Sequence, residues 1–230
     1  GYQGCFSLHD LHYTRLSPRQ LYPGVESAEE LNYLKIGIAN ADFITTVSPQ
    51  YAREIQTPAY GHGLEELLAS RREDLFGVLN GIDTEVWNPA EDPFLEHPFS
   101  REDLRGKAAL KQILQEENGL ETDPSLGVIG IVSRLVEQKG FRELLDGETC
   151  ALEQIVTELP CQLVLLGTGE KWAQERLQEM AARLPRLAVT IGFNERMAHL
   201  IEGGSDFFLM PSRYEPCGLN QIYSLRYGTL

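Results

Sequence analysis

Along the second half of the chain, short apolar runs alternate with stretches whose apolar positions recur at helical spacing. Segments 127–132, 162–166, 187–191 and 206–210 are mostly apolar and too short for helices, so they read as strands buried on both faces. Between and after them, 141–158 reads as an interrupted helix, and 170–183, 195–202 and 219–227 as helices. Four strands alternating with helices predict a parallel sheet covered on both faces, with ligands at the carboxyl ends of the strands.

The signals in the first half are more local. Ser27 followed by Glu30 is a capping box, and Leu31, Leu34 and Ile38 continue it at helical spacing. The β-rich run 43–47 leads straight into Ser48-Pro49, an N-cap with proline at the first helical position, which opens a helix over 51–55. Strand, sharp turn and helix in that order form an α/β unit. Residues 57–125 are less regular, with Gly61-His62-Gly63, Asn80-Gly81 and prolines at 89, 93, 98 and 124; a helix over 101–118, stopped by Gly119, fits there.

Composition narrows the partners. The 230 residues hold 34 acidic and 20 basic side chains, a net charge of −14, and a surface so negative repels nucleic acid and anionic membrane. A neutral polymer or small molecule suits it, and an anionic ligand needs a local cationic pocket. The longest apolar runs, 128–132 and 207–210, fall far short of the ~20 residues of a membrane-spanning helix, which predicts a soluble chain. Cys5, Cys150, Cys161 and Cys217 form no metal-ligand or disulfide pattern and read as reduced thiols of a cytoplasm-like compartment. The chain begins without Met or a signal sequence and stops just after an apolar helical stretch, so both ends read as cut.

The strand ends carry the candidate chemistry. After the first strand of the second half, Arg134 and Lys139 offer a guanidinium fork and an ammonium at the start of a helix, a site for a diphosphate; the pair alone reads equally well as a solvated basic turn. The second strand ends in Gly167-Thr168-Gly169, a weak signal. Phe193, after the third strand, either stacks on a base or simply packs. After the fourth comes 211–221, where Glu215 sits in a proline-stiffened turn and the N–H groups of Gly218 and Leu219 begin a helix. Such a turn can hold an acid beside a sugar and an anion on its amides; a helix-capping role for Glu215 and a filler role for Cys217 are the plainer readings. His62 and His199 receive no role.

These residues resemble the bacterial-type glycogen synthases and plant starch synthases of glycosyltransferase family 5. The matching strings are Tyr2-Gln3-Gly4, Ala41-Asp42, Thr45-Thr46-Val47-Ser48-Pro49, Tyr51 to Ile55, Asn80-Gly81-Ile82-Asp83 and Trp87-Asn88-Pro89, followed by Ser133-Arg134-Leu135, Gln138-Lys139-Gly140 and Pro211 to Leu219. They span nearly the whole chain in the family's order, and Glu215-Pro216-Cys217-Gly218-Leu219 is specific to this group.

The resemblance implies an α/β fold of GT-B type, two Rossmann-like domains with parallel sheets, both incomplete in this chain. Residues 1–84 would be the C-terminal part of the acceptor-side domain, 85–125 a linker and the helix leading out of it, and 126–230 a truncated nucleotide-sugar domain. It implies retaining transfer of glucose from ADP-glucose to the non-reducing end of an α-1,4-glucan, in the cytoplasm or a plastid, with no cofactor and no metal; no Asp-x-Asp metal motif is present.

By position, Arg134 and Lys139 would bind the diphosphate and stabilise departing ADP, and Glu215 would lie by the transferred glucose. Cys217, Gly218 and Leu219 would offer backbone N–H groups, Phe193 would stand beside adenine, and Asn80 would face the sugar from the hinge. Tyr223 stands where many relatives outside the group carry a second glutamate. Missing are the family's Lys-x-Gly-Gly-Leu loop, the His-Asn pair before Tyr2-Gln3-Gly4 and the Thr-Gly-Gly-Leu loop. A non-catalytic binding fragment and another retaining sugar-nucleotide transferase are the alternatives, and the oligomeric state is left open.

Overall fold

The computed structural model describes residues 15–16, 31–147 and 149–230. The Ser27–Glu30 capping box, Tyr2-Gln3-Gly4 and Cys5 lie outside the described residues. The chain divides into two compact units, 1–81 and 82–230.

In the first unit, β1 (Arg15–Leu16) pairs antiparallel with β2 (Leu31–Asn32). Helix α1 (Tyr33–Asn40) then buries Leu34 and Ile38, while Leu31, placed by its spacing at the head of that helix, belongs to β2. Strand β3 (Ile44–Val47) runs into α2 (Pro49–Glu54) through the predicted cap: Ser48 Oγ accepts the Tyr51 N–H at 3.1 Å, with proline at the start of the helix. Two elements had no clear sequence signal. They are α3 (Glu65–Ser70) and β4 (Leu75–Val78), which lies parallel to β3 with Ile44 opposite Leu75. Ile38, Ile44, Tyr51, Ile55, Leu68 and Leu75 close the core of this unit.

The second unit opens with a non-helical stretch that leads into α4 (Arg105–Glu117). Residues 85–125, read from sequence as linker and helix, supply Leu95, Phe99, Leu110, Leu114 and Leu120 to the core of this unit. Trp87 is stacked between His199 and Tyr223, at ring-centroid distances of 4.0 and 3.8 Å, and Asp92 accepts hydrogen bonds from His199, at 2.7 Å, and Tyr227. His199 is thus a buried structural residue, and Tyr223 is half of an aromatic stack.

Four parallel strands form the sheet: β5 (Gly127–Leu135), β6 (Cys161–Gly169), β7 (Leu187–Ile191) and β8 (Phe207–Phe208), in the order β7-β6-β5-β8. Strand β6 runs on through the Gly167-Thr168-Gly169 segment, which sequence had placed beyond its end. Because side chains alternate across a strand, the run Leu163-Val164-Leu165-Leu166 serves two cores. Leu163 and Leu165 pack with Phe141, Leu152 and Leu177; Val164 and Leu166 pack with Leu110, Leu200 and Ile201. The first face is covered by α5 (Phe141–Leu145), α6 (Ala151–Glu158) and α7 (Lys171–Arg183), the second by α4 and α8 (Glu195–Gly204). Helix α9 (Leu219–Arg226) follows β8. The sheet is covered on both faces, as its apolar strands require.

Candidate functional site

From β5 the chain steps outward through β6 and β7, then returns to the other side of β5 to form β8. The connection after β5 therefore leaves toward β6, away from β8, and such a reversal opens a crevice at the carboxyl ends of β5 and β8. A cleft of about 280 Å³ lies there, walled by residues of 132–139 after β5 and of 209–220 after β8.

The two walls are in direct backbone contact. Gly140 has φ +76°, and a Cβ on it would lie 1.9 Å from the Pro211 carbonyl oxygen, so only glycine fits. Just before it, Lys139 ends a short 3₁₀ turn and its Nζ donates to Glu215 Oε2 at 2.5 Å. The partners are 76 residues apart in sequence, and their side chains are only 18% and 19% exposed. Ser212 Oγ donates to the same Oε2 at 3.1 Å. Arg134 lines the cleft as well, exposed and with no ion pair among the described residues. Two cations and one carboxylate leave this cleft net positive, on a chain whose net charge is −14.

A second positive feature comes from α9. Its N-cap, Gly218, provides no side-chain cap, and Gly218 and Leu219 line the cleft, so the helix presents uncapped first-turn N–H groups there. Gly218 packs closely: a Cβ would come within 2.6 Å of Met210 Cε. Asn220 Nδ2 donates to the Val132 carbonyl at 2.5 Å and ties this helix to the end of β5. Of the two helix starts read from sequence, the one beside Lys139 opens α5, which has only five residues. The N-terminus at the cleft is that of α9. Cationic side chains and uncapped amides converging on one cavity can hold a diphosphate, and a carboxylate among them can accept from hydroxyl groups.

The structure therefore brings Arg134, Lys139, Glu215, Cys217, Gly218 and Leu219 into one cleft. Phe193 follows β7, two strands away from β5 on the same carboxyl edge; it is 87% exposed and does not line the cavity. Asn80 lies next to the last residue of the first unit, exposed just after β4. Sequence reasoning passed over Ser212 and Asn220, both lining the cleft; a hydroxyl three residues before the acid was the available signal for the first. Among the described residues no group of three or more His, Cys, Asp or Glu side chains could hold a metal ion, and no helix is long and apolar enough to cross a membrane. The described cysteines, Cys150, Cys161 and Cys217, are free.

With this geometry in place, the relatives are informative. The glycogen synthase of Treponema denticola is 46% identical over the whole of this chain, and glycogen synthase 1 of Methylococcus capsulatus is 48% identical over the same extent. The chain is homologous to the glycogen synthases along its whole length. It spans about half the length of these curated relatives, 47% and 46%. The starch synthase catalytic domain family matches residues 1–70. The catalytic domain of starch synthase IV from Arabidopsis thaliana, solved with ADP and acarbose bound, superposes with a TM-score of 0.80 at 35% identity, covering 89% of this chain and 42% of that one. The two parallel-sheet units are those of the GT-B glycosyltransferases to which these synthases belong.

Proposed function

We propose that this chain carries the donor-binding half of a retaining glucosyltransferase, which moves glucose from ADP-glucose to the non-reducing end of an α-1,4-glucan in glycogen or starch synthesis. The observation that carries this reading is the cleft between β5 and β8, where Arg134, Lys139 and the α9 amides meet Glu215. Cleavage of the glycosidic bond to the diphosphate builds negative charge on the leaving group, and fixed cations and amide dipoles placed beforehand lower the energy of that state. Arg134 and Lys139 hold the diphosphate, the first-turn amides of α9 share it, and Glu215 orients the glucose through its hydroxyls. Departing phosphate accepts the proton of the incoming 4-hydroxyl. Phe193 stands beside the adenine, and the reaction uses no metal. An acidic surface around a cationic cleft suits a neutral glucan acceptor, and the site of action is the cytoplasm, or the plastid in a photosynthetic eukaryote.

The test is incorporation of labelled glucose from ADP-glucose into glycogen by the complete gene product that carries these 230 residues, with and without EDTA. Metal-independent incorporation is the expected result. Binding of ADP without any transfer supports instead a non-catalytic nucleotide- and glucan-binding role, and preference for UDP-glucose supports another transferase of this fold.

A further inference from the structure

One cluster of charges next to the cleft is not part of its lining. Arg213, two residues before Glu215, turns away from the cavity and reaches back over the opposite loop. Its Nη1 meets Glu137 Oε1 at 2.6 Å and its Nε meets Glu143 Oε1 at 2.5 Å, while its backbone N–H donates to the Gln138 carbonyl at 3.0 Å. Glu137 and Glu143 stand on either side of Lys139: the first opens the 3₁₀ turn that Lys139 closes, and the second lies in α5. One guanidinium thus clasps both flanks of the segment that aims the Lys139 ammonium, from the loop that carries Glu215.

We propose that Arg213 is a positioning residue, a strap that holds the Lys139 loop in register with the Glu215 loop so that the cleft keeps its diphosphate-binding geometry. The inference rests on the donor-site reading above. Three arguments support it. The side chains are about half exposed, 45%, 54% and 51%, and exposed ion pairs contribute little to stability, so global stability is a poor reason for such a network. Only a planar fork can meet two carboxylates at once through separate nitrogens, which singles out arginine over lysine. The clasp is also electrostatically engaged: hydrogen bonding from Arg213 holds the Glu143 carboxyl below its usual range, and Glu143 in turn raises the Arg213 guanidinium. Other ties between the walls include the backbone bond to Gln138, the Gly140–Pro211 contact, the Asn220–Val132 bond and the Lys139–Glu215 pair, the last of which a bound diphosphate must disturb.

The test uses Arg213→Gln, Arg213→Lys, the double variant Glu137→Gln/Glu143→Gln and the triple variant that adds Arg213→Gln to it, all in the complete gene product, with ADP affinity by calorimetry and glucose transfer read in parallel. Arg213→Gln should weaken ADP binding about fivefold and lower kcat about tenfold, because ångström-scale displacement of a catalytic group costs up to about a hundredfold. Its melting temperature should stay within about 2 °C of the wild type, the range expected for an exposed substitution. The double glutamine variant should show the same losses, the triple variant no more than either, and Arg213→Lys partial recovery. High salt should weaken ADP binding throughout and narrow the gap between the wild type and the variants. Wild-type ADP affinity in Arg213→Gln, or additive losses in the triple variant, would overturn the strap. Absence of transfer by the wild type overturns the donor-site function instead, and ADP binding still decides on the strap.

Discussion

The Lys139 ammonium is paired with Glu215, so a diphosphate that binds in the cleft has to compete with a carboxylate for it. Replacing Glu215 with glutamine keeps the shape and removes the competitor. The magnitude follows from the burial of the pair. Fully exposed ion pairs contribute about 0–1 kcal/mol, whereas hydrogen bonds to charged groups contribute about 1.5–3 kcal/mol. At 18% and 19% exposure the pair belongs near the lower end of the second range, about 1.5 kcal/mol, or about tenfold in Kd. Glu215→Gln should therefore bind ADP about tenfold more tightly than the wild type at low salt, with the gap narrowing as salt screens the site. Turnover should move the opposite way, since the amide orients the glucose hydroxyls less strongly than a carboxylate. Isothermal titration calorimetry with ADP, alongside a transfer assay, separates the two effects. Unchanged or weaker ADP binding in Glu215→Gln would refute the competition.

Further outcomes follow from the same structure. Phe193→Ala should raise the KM for the sugar nucleotide about tenfold, within the ~1–3 kcal/mol of a base–aromatic stack, and leave the melting temperature unchanged because the ring is 87% exposed. Gly140→Ala should cost more than about 2 kcal/mol and lower the melting temperature by about 4–8 °C, since it adds a left-handed conformation for a non-glycine residue to a clash with Pro211; calorimetric scanning checks this. Burial pushes the Glu202 carboxyl up to about 8, while Ser224 donates a hydrogen bond to it. The folded state then holds a proton that the unfolded chain releases above its ordinary value of 4.5, so stability is fully present below pH 4.5 and declines as the pH rises to about 8. Glu202→Gln should flatten that decline in urea titrations across the range.

The parts of this molecule that could be read from sequence are those fixed by local chemistry. Strands β5 to β7 announced themselves because a strand buried on both faces must be apolar at consecutive positions, as Leu163 to Leu166 are. The cap Ser48 was legible for the same reason: it accepts the N–H three residues on, a bond within one turn of chain. Strand β4 escaped notice because Phe76 and Val78 are exposed and its pairing with β3 is set by a partner about thirty residues earlier. Residues 85–125 read as linker because their apolar side chains are irregularly spaced; Leu95 and Phe99 reach the core from non-helical chain. At the site, the strand-end rule pointed to four loops, and only the order β7-β6-β5-β8 selects the pair that forms the cleft. The Lys139–Glu215 pair and the Arg213 clasp join segments 70 to 76 residues apart, and no sequence periodicity carries that information.

On the proposed function, the cleft between β5 and β8 binds the diphosphate of a glucosyl donor through Lys139. Its most direct test is transfer of labelled glucose from ADP-glucose to glycogen by the complete gene product, wild type beside Lys139→Ala. The wild type should incorporate label, and the variant should lose at least about a hundredfold in kcat/KM, as for removal of one preorganised charge-stabilising group, with matching melting temperatures. Equal transfer by the two proteins would contradict it.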